Sequence, residues 1–169
     1  MTHSCHIILI IISLQAIRGK IATNKIIRRG REGDFNMLEK AGNLLNEVSI
    51  LSLASINEDG YPRTCTITKL QSEGARKIYV CTGMDSKKTK HFRANPKASI
   101  CYYKDSDSVI LLGAVNIVEC MELKKTMWQD WLFEHIPGGV NDPNYCLLEF
   151  VSCEATMYIQ GEFATMPVK

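Results

Sequence analysis

Ser86, Lys87 and Lys88 follow a short apolar run, residues 78–81, and open a short helix that Asn95-Pro96 closes. Serine is a good N-cap, because its hydroxyl accepts a hydrogen bond from a free backbone N–H of the first turn. The lysines are out of place there, since a cation at the positive end of the helix dipole is disfavoured by ~0.3–1 kcal/mol. A bound anion reverses that sign. Free N–H groups, a hydroxyl and ammonium groups that converge at a strand-to-helix turn make a phosphate site. A solvated basic helix face accounts for the same residues, so a second basic element has to decide. Arg63, at the head of an earlier strand, is the candidate.

Other chemistry finds less support. The seven cysteines show no CxxC pair and no zinc-like spacing. Several lie inside apolar runs, as Cys101 does between Ile100 and Tyr102, and they read as small buried hydrophobes of a reducing compartment. The four histidines, among them His91 and His135, form neither HxxxH nor HExxH, so no metal site is expected. No GxGxxG or Walker loop is present.

The 169 residues, 46% hydrophobic and 22% charged, suffice for one globular domain. Residues 1–36 hold six Lys/Arg against two Asp/Glu, which leaves fourteen against sixteen, a net −2, for residues 37–169. A broad nucleic-acid footprint is therefore not expected, and the cluster Lys87, Lys88, Lys90, Arg93 and Lys97 predicts only weak, salt-dependent binding to DNA or RNA. The apolar run at residues 7–14 is too short for a membrane span, which takes ~20 residues. It also lacks the preceding lysines and the clean cleavage site of a signal peptide. Residues 1–36 are expected to be an ill-ordered extension translated from upstream of a natural start at Met37, and residues 37–169 a cytoplasmic domain.

Periodicity supplies the elements that must hold the anion site. Met37, Leu38, Ala41, Leu44 and Leu45 keep helical spacing. Residues 50–56 read as a buried strand that turns at Asn57-Glu58-Asp59-Gly60 and returns over residues 61–70. After a turn at 71–74, the strand 77–82 leads into the helix of Ser86. Residues 97–104 and 108–119 form another strand pair, with Gly113 marking a bulge or a close approach. Leu123, Met127, Trp128, Trp131 and Leu132 share a stripe that predicts one helix, packed in the core or at a dimer contact. A loop through Pro137-Gly138-Gly139 and Asp142-Pro143 precedes a long strand or bent strand pair over 145–160. Six or seven strands in hairpin order with three short helices predict an antiparallel barrel rather than a βαβ sheet.

Together these stretches resemble the pyridoxamine 5'-phosphate oxidase-like split barrels, and within them the short general stress protein branch. The recurring turns and motifs of that branch are read in order at residues 60–63 (GYPR), 82–89 (TGMDSKKT), 95–98 (NPKA), 107–109 with Gly113, 128–131 (WQDW) and 137–145. The resemblance implies a mainly β fold, a six- to seven-stranded antiparallel Greek-key split barrel with about three short helices. It implies FMN as cofactor, with Arg63, Ser86 and Lys88 on its phosphate. Lys87 stands where the branch often has an apolar residue and the oxidases have arginine. Thr64, Cys65 and Thr66 run along the ring and ribityl chain, and Cys81 and Thr82 close the other side. A homodimer with the flavin between its subunits is also implied. FAD or deazaflavin are alternative flavins. Haem, which some related barrels take, needs an axial ligand, and no histidine falls in the matched positions.

Two departures limit the transfer of activity. Thr68 stands where the oxidase has a lysine, and no C-terminal tryptophan and arginine segment is seen up to Lys169. Pyridoxal phosphate synthesis is therefore not expected. The expectation is an FMN-dependent oxidoreductase that moves electrons from a reduced nicotinamide or small molecule to an acceptor. The alternative is a flavin-binding stress-response protein without turnover.

Overall fold

The computed structural model describes residues 32–169, with side chains from Asn36 onward. The expectation for residues 1–36 lies outside the described residues, apart from 32–36, which begin the first helix. The elements run α1 (Glu32–Asn46), β1 (Ile50–Ile56), β2 (Pro62–Glu73), β3 (Lys77–Gly83), α2 (Lys87–Ala94), β4 (Lys97–Lys104), β5 (Asp107–Val118), α3 (Met121–Thr126), β6 (Tyr145–Ile159) and β7 (Glu162–Pro167). Two 3-10 turns, Asp130–Glu134 and Gly139–Asn141, lie between α3 and β6. The strands follow the order β3-β2-β1-β4-β5-β6-β7, and a β3–β6 pairing closes the first six into a barrel with β7 on its flank. Every strand pair is antiparallel. This is the split-barrel architecture that the resemblance implies.

Alternation along the strands decides what enters the barrel. In β1, Leu51, Leu53 and Ser55 are buried while Ile50, Ser52 and Ala54 face outward, the period of two that a half-buried strand requires. Phe150, Leu148, Val80, Ile78, Ile100 and Leu111 fill the interior. Helix α1 closes one end with Met37, Ala41, Leu44 and Leu45, and the Tyr102 hydroxyl donates to the Ala41 carbonyl at 3.0 Å. The first half of β6 is buried on both faces, because a second apolar layer of Leu70, Tyr79, Met127, Leu132, Ile136, Tyr145 and Leu147 lies outside the barrel wall.

That outer layer changes the expected helix over Leu123 to Leu132. α3 ends at Thr126, residue Gln129 is extended, and a 3-10 turn begins at Asp130. The Thr126 hydroxyl donates back to the Glu122 carbonyl, a bond that loosens helices, and the Gln129 amide donates across to the Leu70 carbonyl of β2. The break lets Met127, Leu132 and Ile136 all face the sheet, which one straight stripe cannot do. Gly113, expected to mark a bulge or a close approach, lies opposite a bulge in β6: pairing passes from Leu112↔Glu154 to Gly113↔Ser152, leaving Cys153 as the extra residue. Among the described residues no helix is long and apolar enough to cross a membrane.

Candidate functional site

β2 and β3 pair only from Lys69↔Val80 to Glu73↔Lys77. Beyond that point they diverge, so β2 over 63–68 pairs with β1 alone, and β3 over 81–83 pairs with β6 alone. The edge of β2 that faces the gap therefore turns alternate backbone N–H and C=O groups toward it without a strand partner. A cavity of about 530 Å³ opens at this seam. Thr66, Thr68, Cys81, Thr82, Gly83 and Lys88 form its barrel side, while Trp131 of the first 3-10 turn and His135 and Ile136 just after it stand on the other.

At the mouth of α2 a chain of hydrogen bonds runs in one direction. The Lys88 ammonium donates to the Thr82 hydroxyl at 3.0 Å, and Thr82 donates to the Ser86 hydroxyl at 3.2 Å. Ser86 lies 2.9 Å from the Thr89 hydroxyl, which is fully buried and donates to the Gly83 carbonyl at 2.9 Å. Ser86 caps the helix as its type predicts, accepting from the Thr89 N–H at 3.3 Å. No acidic residue lies in the first turn, so Lys88 stays at the positive end of the dipole with donors to spare. The turn is braced from the loop before β6, where Asn144 accepts from the Met84 and Asp85 N–H groups. A Cβ at Gly83 would lie 2.6 Å from the Asp85 carboxylate and 3.1 Å from Asn144, so a side chain there would displace the exposed Asp85 carboxylate and crowd Asn144.

Of the nine residues read from the sequence, Thr66, Cys81, Thr82 and Lys88 line the cavity, and Ser86 reaches it through Thr82. Cys65 pairs with Leu53 and packs on the barrel core, so its side chain points away and only its backbone follows the seam. Thr64, on the same outer face as Thr66, and Lys87 are exposed next to the lining residues. Arg63 is exposed at the start of β2, outside the lining, opposite Ser55. Ser55 is 3% exposed, and its hydroxyl lies 2.9 Å from His91 Nδ1 of α2. That contact ties the Arg63 end of the hairpin to the helix that carries Lys88. Ile50, Trp131, His135 and Asn144 also line the cavity without having been singled out as site residues. Trp131 carried only the signal of the apolar stripe and Ile50 only that of its strand, and nothing in the sequence gathers them with His135 and Asn144 around one cavity.

Burial pushes the Cys81 thiol up to about 11, with Cys146 adding to the rise and the Lys88 ammonium opposing it. The thiol is therefore neutral near pH 7 and a poor nucleophile. The folded-state value lies above the ordinary 9.0, so this contribution to stability is complete below about pH 9 and is lost as pH climbs to about 11. Tyr145, raised to about 12 by burial, extends the decline. Cys81→Ala is expected to flatten the fall across that interval in urea unfolding, and an unchanged slope contradicts the assignment. The six described cysteines are free thiols, Cys146 buried but Cys120 and Cys153 exposed, so burial is not general among them. Among the described residues no group of three His, Cys, Asp or Glu could hold a metal ion.

The sequence model of the family described as Pyridoxamine 5'-phosphate oxidase matches residues 37–155. Among solved structures, a protein from Clostridium acetobutylicum related to general stress protein 26 of Bacillus subtilis is similar with a TM-score of 0.71 and 21% identity, over 79% of this chain and 95% of that one. General stress protein 26 from Bacillus anthracis is similar at 0.66 and 22% identity, over 78% and 99%. A haem-binding protein from Mycobacterium smegmatis is similar at 0.64 and 15% identity, over 78% and 57%. At these identities the likeness is one of fold. The comparison with curated proteins gives no match.

Proposed function

Because the chain belongs to the pyridoxamine 5'-phosphate oxidase family, we propose that it binds FMN at the β2–β3 seam and works as an FMN-dependent oxidoreductase. The observation that carries this reading is the junction of two complementary features. A cation and a capped helix start are held by the hydrogen-bond chain from Lys88 to Gly83, and they adjoin an unpaired strand edge on a cavity of about 530 Å³. That volume is within the range of cofactor pockets, ~300–1,000 Å³. A phosphate dianion suits the first feature and the polar rim of a tricyclic ring the second.

In this reading Lys88, Ser86 and Arg63 hold the phosphate, and Lys87 adds to the positive potential at its approach. The backbone of Thr64, Cys65 and Thr66 hydrogen-bonds the ring and ribityl chain, and Cys81 and Thr82 bound the opposite side. FMN held by these residues would supply a two-electron carrier between a reduced nicotinamide or small molecule and an acceptor. The protein contributes orientation and exclusion of water, and Cys81 presents a neutral thiol rather than a competing nucleophile. We further propose a homodimer. The outward row Thr66, Ser52, Cys101 and Ile110 runs across β2, β1, β4 and β5, and Ile110 and Leu112 are 44% and 45% exposed. A second copy on this face, where Ile110 and Leu112 stand open, would border the cavity.

The test is an absorption spectrum of the purified protein, then an FMN titration with the mass of the complex measured at saturation. Flavin absorbance or saturable binding near one FMN per chain, in a dimer, is expected. Failure to bind withdraws the reading, and full binding by a monomer withdraws the shared site. Turnover of NADH or NADPH by the loaded protein separates the enzyme from the alternative, a flavin-binding protein without turnover. A Soret band instead would favour haem, for which His135 on the cavity wall is the available axial ligand.

A further inference from the structure

Trp131 lines the cavity and is 37% exposed, yet its polar group is already satisfied. The indole N–H donates to the Gln129 side-chain carbonyl at 2.6 Å, and the same Gln129 amide donates to the Leu70 carbonyl at 3.1 Å. Both ends of Gln129 are thus committed, and the ring is referenced to β2, the strand whose edge forms the opposite side of the cavity. His135 packs edge-on against it, with centroids 6.3 Å apart and planes at 79°. The other tryptophan differs: Trp128 is edge-to-face with both Phe133 and Tyr145 in the outer apolar layer. An indole with fixed orientation, a satisfied N–H and an open side on a cavity has its π surface left to offer a ligand.

We propose that Trp131 is a stacking wall for the planar ring of a ligand whose anionic end lies at Lys88, which makes the cavity a two-part site. This inference rests on the flavin reading and assigns the ring end of the same site. It separates two quantities that FMN binding alone combines. Lys88 acts on the phosphate and so distinguishes FMN from riboflavin, whereas Trp131 acts on the ring that the two share.

The experiment titrates FMN and riboflavin into wild type and into Trp131→Phe, Trp131→Leu and Trp131→Ala, with thermal melts to confirm folding. The leucine and alanine variants are expected to lose about tenfold for both ligands by the same factor, as loss of an aromatic stack does. The phenylalanine variant is expected to stay within about threefold of wild type, because it keeps a π face. Wild-type affinity in the leucine and alanine variants overturns the proposal. So does a loss confined to FMN, which moves Trp131 to the phosphate, or an equal loss in the phenylalanine and leucine variants, which removes the aromatic character from the effect. If alanine unfolds the turn, the comparison of phenylalanine with leucine decides alone. Wild type that binds neither ligand overturns the flavin reading itself, and does so before any substitution is made.

Discussion

Lys88→Met is expected to weaken FMN binding by roughly 10- to 100-fold and to leave riboflavin binding unchanged. The estimate takes one charge-assisted contact at about 1.5–3 kcal/mol, and methionine keeps the alkyl stem that packs the half-buried lysine. The charge is the part that matters. Lys88 donates to Thr82, but a neutral hydroxyl does not compensate an ammonium at a helix start, and the first turn supplies no carboxylate. Removing the ammonium also frees the Thr82 hydroxyl, so a small part of the loss comes from disorder along the chain to Ser86. Isothermal titration with the two ligands separates these contributions. Equal losses for FMN and riboflavin would place Lys88 at the ring, and no loss for either would remove it from the site. Arg63→Ala added to Lys88→Met is expected to abolish measurable FMN binding, since Arg63 is the second cation on the same side and is joined to α2 through Ser55 and His91.

The second large effect concerns folding. A Cβ at Gly113 would lie 2.1 Å from the Val151 carbonyl oxygen and 2.8 Å from the Phe150 ring. A flexible side chain could move aside, but a carbonyl in a paired strand cannot move without breaking the β5–β6 ladder, which holds eleven paired positions from Ser108↔Tyr158 to Val118↔Leu147. Phe150 is fully buried in the barrel core. Gly113→Ala is therefore expected to cost about 3 kcal/mol, the upper end for overpacking, and to lower the melting temperature by roughly 10 °C. A variant that melts within about 2 °C of wild type would falsify the close approach.

Local patterns carried the barrel. The apolar run of β1 and the β-branched residues Thr64, Thr66, Ile67 and Thr68 of β2 are short-range signals, and the order of hairpins follows from the turns between them. The capped start of α2 was legible because Ser86 is a strong N-cap, and the two lysines after it stood out because they contradict the helix dipole. What was not legible depends on contacts distant in sequence. The stripe from Leu123 to Leu132 has helical period, but the Gln129 bond to Leu70 spans 59 residues and breaks it. For the same reason Trp131 read as core or dimer contact and His135 only as a histidine without metal-binding companions, and only the folded chain puts them across a cavity from Thr66. The point where β2 and β3 part lies at the bulge between Lys69 and Gln71, and no glycine or proline marks it in the sequence.

That parting also bears on how such a chain can vary. A seam made of main-chain N–H and C=O groups presents the same donors and acceptors whatever side chains flank it. Thr64, Thr66 and Thr68 can therefore be exchanged while the backbone rail persists, provided the strand keeps its extended form. Substitution along β2 can re-tune what touches the outer surface of a ligand without relocating the ligand. A scaffold of this kind separates the grip, which geometry fixes, from the selectivity, which mutation is free to rewrite.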